Sequence, residues 1–260
     1  MPASDFIDNL ASRGRYHFTT DNMAARLGSS VVAARAALRR LQHKGVIATP
    51  HRGFHVIVPP EYRRLGCLPA DQFVPQLMDH LGLAYYAALL TAGRYHGAAH
   101  QQPQVFQVIA AKNRPPIDCG DIRVAFVARR NVADVPTTSI NTPRGQIAVS
   151  TPEATAFDLV GYLRHAGGID NVATVLAELA DTLDGTALAS LAPLSPVPWA
   201  QRLGHLLELV GASDKAEPLA RYVAGVVNET TALVPSVPAD EAPYDARWHL
   251  LMNVSVEPEL

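Results

Sequence analysis

Glycines at positions 14, 28 and 45 cut the start of the chain into three helix-sized pieces, and this punctuation constrains the fold more than any other feature. Ser4 is expected to cap the first piece, where Phe6, Ile7 and Leu10 recur at helical spacing. Thr20 is expected to cap the second, with Asp21 in the first turn, where the helix dipole favours an acid, and Met23, Ala24 and Leu27 on one side. Ser30 opens the third and longest, in which Ala34, Ala37, Leu38 and Leu41 follow the i, i+3, i+4, i+7 rule and should face a core. After Gly45 the period changes. Val46 to Thr49 reads as a strand, Pro50-His51-Arg52-Gly53 as a turn, and Phe54, Val56 and Val58 alternate as a returning strand.

That order of elements, with a tight Gly28-Ser29 turn before the third helix and a hairpin after it, is the order of a winged helix-turn-helix. Charge supports a polyanionic partner. The net charge of −2 hides a split in which residues 1–66 hold ten basic and four acidic side chains, while the remaining 194 hold 12 and 20. Concentrated positive charge favours nucleic acid through counterion release, although a helix can also carry arginines as a solvated face for protein contacts. Arg35 and Arg39 lie one turn apart and off the apolar stripe, so they project together. The expected DNA-contacting residues are Ser29, Ser30, Val31, Arg35, Arg39 and Arg40, with His51 and Arg52 at the hairpin tip.

Pro59, Pro60 and the stretch to Pro69 interrupt periodicity, which predicts a DNA-binding domain over 1–66 and a second domain over 67–260. In the second, Phe73, Leu77, Met78 and Leu81 make one helical stripe, and Tyr85, Tyr86, Leu89 and Leu90 are expected to open another. Val105 to Ala110, Ile122 to Ala128 and Gly145 to Val149 read as strands. Thr151-Pro152-Glu153 is a strong helix start leading to Leu163, and Asn171 to Leu183, Pro198 to Val210 and Pro218 to Asn228 add further helical patterns. The predicted class is therefore mixed α+β: a winged helix-turn-helix followed by a larger, helix-rich α/β domain. With 48% apolar residues over 260 there is enough to fill such a core, and disorder is excluded. The longest apolar runs fall short of a membrane span and Met1 to Leu10 carries no cationic leader, so no membrane association and a cytoplasmic location are expected. Cys67 and Cys119 are too few for a disulfide framework or a cysteine-rich zinc site and should be reduced and buried.

The candidate catalytic groups are weak. His96 and His100 have the i, i+4 spacing of a metal-binding helix, but Gly97, Ala98 and Ala99 between them supply no glutamate to activate a water. Asp118, Asp121 and Lys112 could form an acid-acid-base set for metal-dependent phosphodiester cleavage, although turn residues explain both acids. Ser150 and Ser195 lack the glycine-flanked elbow of an exposed nucleophile. No catalytic residue, metal or cofactor is expected.

The segment Tyr85-Tyr86-Ala87-Ala88-Leu89-Leu90-Thr91-Ala92-Gly93-Arg94-Tyr95-His96-Gly97-Ala98-Ala99-His100-Gln101-Gln102-Pro103 resembles the signature of the AbiEi antitoxin family. So do Phe106-Gln107-Val108, the run Ser150 to Val160, and the ending Trp248 to Pro258 with Asn253. The resemblance implies the antitoxin of a bicistronic, type IV toxin–antitoxin system of the abortive-infection kind, which limits phage spread. It implies a nucleotidyltransferase-like toxin as partner, often without a stable complex, and autorepression through promoter inverted repeats in double-stranded DNA. The Thr151 to Leu159 motif has no chemistry attached to it, and helix capping explains it. The alternatives are a nucleic-acid-directed or toxin-modifying enzyme carrying a DNA-binding module, and a regulator whose second domain senses a small ligand.

Overall fold

The computed structural model describes residues 2–98 and 104–259. The first elements are α1 (Ala3–Ala11), β1 (His17–Thr19), α2 (Thr20–Leu27), α3 (Val31–His43), β2 (Ile47–His51) and β3 (Phe54–Ile57). Then come α4 (Val74–Leu81), β4 (Tyr85–Ala87), α5 (Leu89–Tyr95), β5 (Phe106–Ala110), β6 (Ile117–Cys119), β7 (Ile122–Ala128), β8 (Thr137–Thr142) and β9 (Gly145–Ser150). The remainder is α6 (Pro152–Gly161), α7 (Ile169–Leu179), α8 (Gly185–Leu191), α9 (Val197–Leu209), α10 (Ser213–Val226) and the two-residue strands β10 (Thr231–Ala232), β11 (Tyr244–Asp245) and β12 (Leu250–Leu251). The class is mixed α+β. One compact unit comprises Met1–Tyr86, Gln104–Val132 and Ser139–Ala148, and a second comprises Ala87–Pro103, Ala133–Thr138 and Val149–Leu260.

In the first unit the three glycine-ended helices form where the sequence places them, with adjusted caps. Ser4 lies inside α1 and donates to Asp5 Oδ1 at 3.2 Å, while the N-cap position is taken by Pro2. The cap of α2 is Thr19, not Thr20: its hydroxyl accepts from the Asn22 amide at 3.1 Å and Asn22 Oδ1 accepts from the Thr19 amide at 3.0 Å. Thr20 is already helical, and its hydroxyl is engaged elsewhere. Ser30 caps α3 through Ala33, and Ala34, Ala37, Leu38 and Leu41 are buried. β1, β3 and β2 form an antiparallel sheet in that order, so the hairpin has a third strand that three residues of sequence did not announce. His51 pairs with Phe54 across the two-residue turn Arg52-Gly53, where a φ of 80° at Gly53 demands glycine. The register shift between Ala48 and His51 accommodates Pro50, which cannot donate to the ladder.

Both faces of this small sheet are covered. Phe18, Ile47 and Ile57 join Phe6, Ile7, Met23, Ala37, Leu38 and Leu41 in one core. Ala48, Phe54, Val56 and Val58 join Cys67, Phe73, Leu77, Met78, Val108, Cys119, Val124 and Phe126 in another. The unit containing the first 66 residues thus runs on past the linker, because the second face of its sheet is buried only by residues that follow. The unit also holds the greater part of a six-stranded sheet of order β6-β7-β5-β4-β9-β8. Its β6–β7 turn approaches Leu65 so closely that a Cβ at Gly120 would strike the Leu65 carbonyl oxygen.

Tyr85 and Tyr86 belong to strand β4 rather than to a helix, which begins only at Leu89. Tyr86 to Leu89 are wholly buried, and Leu89 turns the chain with a φ of 55°. In the second unit α6 is buried on every side from Ala154 to Val160, with α5, α7, α8 and α9 packed around it. Helix α10 starts at Ser213, so Pro218 lies within it rather than at its head, and α8 and α9 pack against it. Trp248 is fully buried; its indole N–H donates to Glu208 at 2.8 Å, and only a glycine at 204 leaves room for its ring.

Candidate nucleic-acid interface

Helix α3 and the β2–β3 turn enclose a groove of about 520 Å³ in the first unit. Its lining brings Arg35, Arg39 and Arg52 together, from two elements 13 or more positions apart in sequence. All three are exposed, and among the described residues no carboxylate pairs with any of them. The turn is fixed to α2 by the Gly53 carbonyl, which accepts from the Thr20 amide at 3.0 Å. Three unpaired guanidiniums around a concavity favour an anionic occupant, and their planar forks suit phosphate oxygens or a guanine edge.

The floor is polar but rigid. His55 is buried between two threonines, with Nε2 2.9 Å from Thr20 Oγ1 and Nδ1 2.9 Å from Thr49 Oγ1. Burial lowers its pKa from 6.5 to about 4, so the ring is neutral at pH 7. A neutral imidazole has one N–H and one lone pair, so one hydroxyl accepts and the other donates.

The other expected contacts lie around this groove rather than in it. Ser30 and Val31 are exposed at the first turn of α3, and Arg40 is exposed on the same helix. Val31 is 40% exposed, and its neighbour Val32, which lines the groove, is 73% exposed. Ser29 is not presented: its hydroxyl is shielded from solvent without a partner, and its amide is taken by the Ala24 carbonyl at 3.1 Å. His51 is half-buried, and desolvation, then Arg114 and His80, lower its pKa. Val32, Gln42, Thr49 and His55 were not anticipated. Two consecutive β-branched residues at a helix start were the available signal for Val32.

Asp118 pairs with Arg123 at 3.7 Å, both well exposed, in the antiparallel β6–β7 pair. Ser150 is buried with its hydroxyl 2.7 Å from that of Thr155. His96 donates from Nε2 to the Ser150 carbonyl at 2.7 Å, while His100 lies outside the described residues. No group of three or more metal-ligating side chains occurs among the described residues. Nor is any helix among them long and apolar enough to cross a membrane. Cys67 and Cys119 are both buried and free. Thr151 caps α6 by accepting from the Ala154 amide, and Asn253 fixes residues 234–237 by donating from Nδ2 to the Val234 and Val237 carbonyls at 2.9 and 2.8 Å.

Residues 86–209 match the family described as AbiEi antitoxin C-terminal domain, so this part of the chain is similar to that antitoxin domain. Among solved structures, the RV2827C protein from Mycobacterium tuberculosis is similar with a TM-score of 0.67 at 19% identity, over 95% of this chain and 90% of that chain. At that identity the likeness establishes a shared fold. An antigenic nucleotidyltransferase-like protein from Paracoccidioides brasiliensis is a remote likeness, with a TM-score of 0.35 and 10% identity over 56% of this chain and 91% of that chain, and it carries no argument. No curated protein matches.

Proposed function

We propose that this protein is the antitoxin of a two-gene toxin–antitoxin system and represses its own operon. Residues 1–66 act as a winged helix-turn-helix that holds inverted repeats in double-stranded promoter DNA. Residues 67–260 counter a nucleotidyltransferase-like toxin, with no stable complex required and no catalysis by this chain. The antitoxin half of the reading is supported by the matched family. The DNA half rests on one observation, the groove on which unpaired Arg35, Arg39 and Arg52 converge.

In this reading the first turn of α3 enters the major groove, where exposed Val31 and Val32 meet thymine methyl groups and Arg35 reaches a base edge. Arg39 and Arg40 hold phosphates farther along α3, and Arg52, with His51 beside it, does so from the hairpin tip. Ser30 contributes through its exposed helix-capping position. Ser29 supports the turn rather than the contact, since its hydroxyl is enclosed.

Co-expression with the neighbouring gene tests the antitoxin role. Relief of growth arrest is the expected result; persistent arrest alongside a folded, soluble antitoxin would refute it. The DNA half is tested separately, by retardation of the operon's own promoter fragment and its loss as salt rises.

A further inference from the structure

The second unit contains a pocket of about 590 Å³, a volume within the range of small-molecule sites. Arg202 of α9, Arg164 and His165 from the stretch after α6, Tyr162 and Ser236 line it, and no acidic side chain does. This is notable in a segment whose 20 acids outnumber its 12 bases over residues 67–260.

Arg202 is the informative group. It is only 6% exposed, and burial depresses its pKa. Its Nε donates to the carbonyls of Ala232 and Leu233 at 3.2 and 3.0 Å, and Nη2 donates to the Ala232 carbonyl and to Thr231 Oγ1 at 3.1 and 3.2 Å. Neutral oxygens therefore hold one edge of the guanidinium. Among the described residues Nη1 has no partner and no carboxylate balances the charge. A buried cation without a counter-charge is expensive, and an anion entering the pocket would offset that cost. Arg164 is exposed and supplies a second cation at the same pocket.

The pocket also has an aromatic wall with a fixed position. Tyr162 stands edge-on to Trp199 at 5.1 Å between ring centroids, and Trp199 packs so tightly on Gly161 that a Cβ there would collide with the indole. Trp199 therefore braces Tyr162 where it lines the pocket.

We propose that this pocket binds a small phosphate-bearing ligand, its phosphate held between Arg202 and Arg164 and any organic part covered by Tyr162. Ligand binding is read without DNA or toxin present, so its outcome is separate from that of the proposed function.

The experiment is calorimetric titration of the full-length protein with inorganic phosphate, with adenosine 5′-monophosphate and with adenosine. Both phosphate-bearing probes are expected to bind, and adenosine is expected to bind at least about tenfold more weakly than its monophosphate. A tighter monophosphate than free phosphate assigns the ligand to organic phosphates, and equal affinities assign it to free phosphate; each supports the site. Because Arg202 also braces residues 231–233, the variant to use is Arg164→Ala, whose exposed side chain leaves the fold intact by circular dichroism. It should weaken phosphate-dependent binding about tenfold. No binding of either phosphate probe at about 1 mM, or binding that Arg164→Ala leaves unchanged, overturns the proposal.

Discussion

His55 Nε2 sits 2.9 Å from the hydroxyl of Thr20, joining strand β3 to the first residue of α2 beneath the arginine-lined groove. Burial, not these hydroxyl partners, keeps the ring neutral. Unfolded, the imidazole titrates near 6.5; folded, burial holds it near 4. Between those values the unfolded chain binds more protons, so stability is fully present above about pH 6.5 and is lost as pH falls toward 4, by about 3 kcal/mol in all. Urea unfolding at pH 7 and pH 5 should show the midpoint falling, and His55→Gln should flatten that change. A midpoint that does not move in the native chain contradicts the buried neutral imidazole.

Gly204 on α9 lies against the buried ring of Trp248 with no room for a side chain. Gly204→Ala should overpack this contact and cost about 1–3 kcal/mol. For a chain of this size each kcal/mol lowers Tm by roughly 2–4 °C. Calorimetric melting checks it, and an unchanged Tm would place the indole elsewhere.

Thr151 caps α6 through its hydroxyl, which accepts from the Ala154 amide. Thr151→Ala should cost about 1 kcal/mol, whereas Thr151→Ser should cost little because it retains the hydroxyl that accepts from Ala154. If Thr151→Ala kept its thermal stability yet lost antitoxin activity in co-expression, a functional role would replace the structural one.

Much of the first unit was legible because its signals are local. Glycine stops and the Ala34, Ala37, Leu38, Leu41 stripe depend on helix geometry alone, and the structure places all four inside. The failures are tertiary. Tyr85 and Tyr86 match a helical stripe when read with Leu89 and Leu90, but sheet pairing claims them, and the positive φ at Leu89 separates strand from helix. The near-continuous apolar run from Phe54 to Val58 was read as one-sided alternation, yet both faces of its sheet are covered. β10, β11 and β12 are two residues each, too short for any period to register. Of the candidate surface, Arg35, Arg39 and Arg52 could be named from helical offset and turn chemistry. Val32 and His55 could not, since their roles depend on how the β2–β3 turn closes over α3.

If the proposed DNA surface is right, Arg52, which reaches the groove from the hairpin turn rather than from α3, should contribute electrostatically rather than by reading sequence. Arg52→Ala should weaken binding to promoter and unrelated duplexes alike and reduce the salt slope by about 1. Fluorescence anisotropy across a salt series measures it. A selective loss on promoter DNA would instead assign Arg52 to base contact.

The decisive test is promoter retardation by the Arg35→Ala, Arg39→Ala double variant, with folding verified by circular dichroism. Each side chain is exposed and unpaired, so the fold should survive, while loss of two charged contacts should reduce affinity by about tenfold or more. Retardation equal to that of the unaltered protein would show that this side of α3 does not meet DNA.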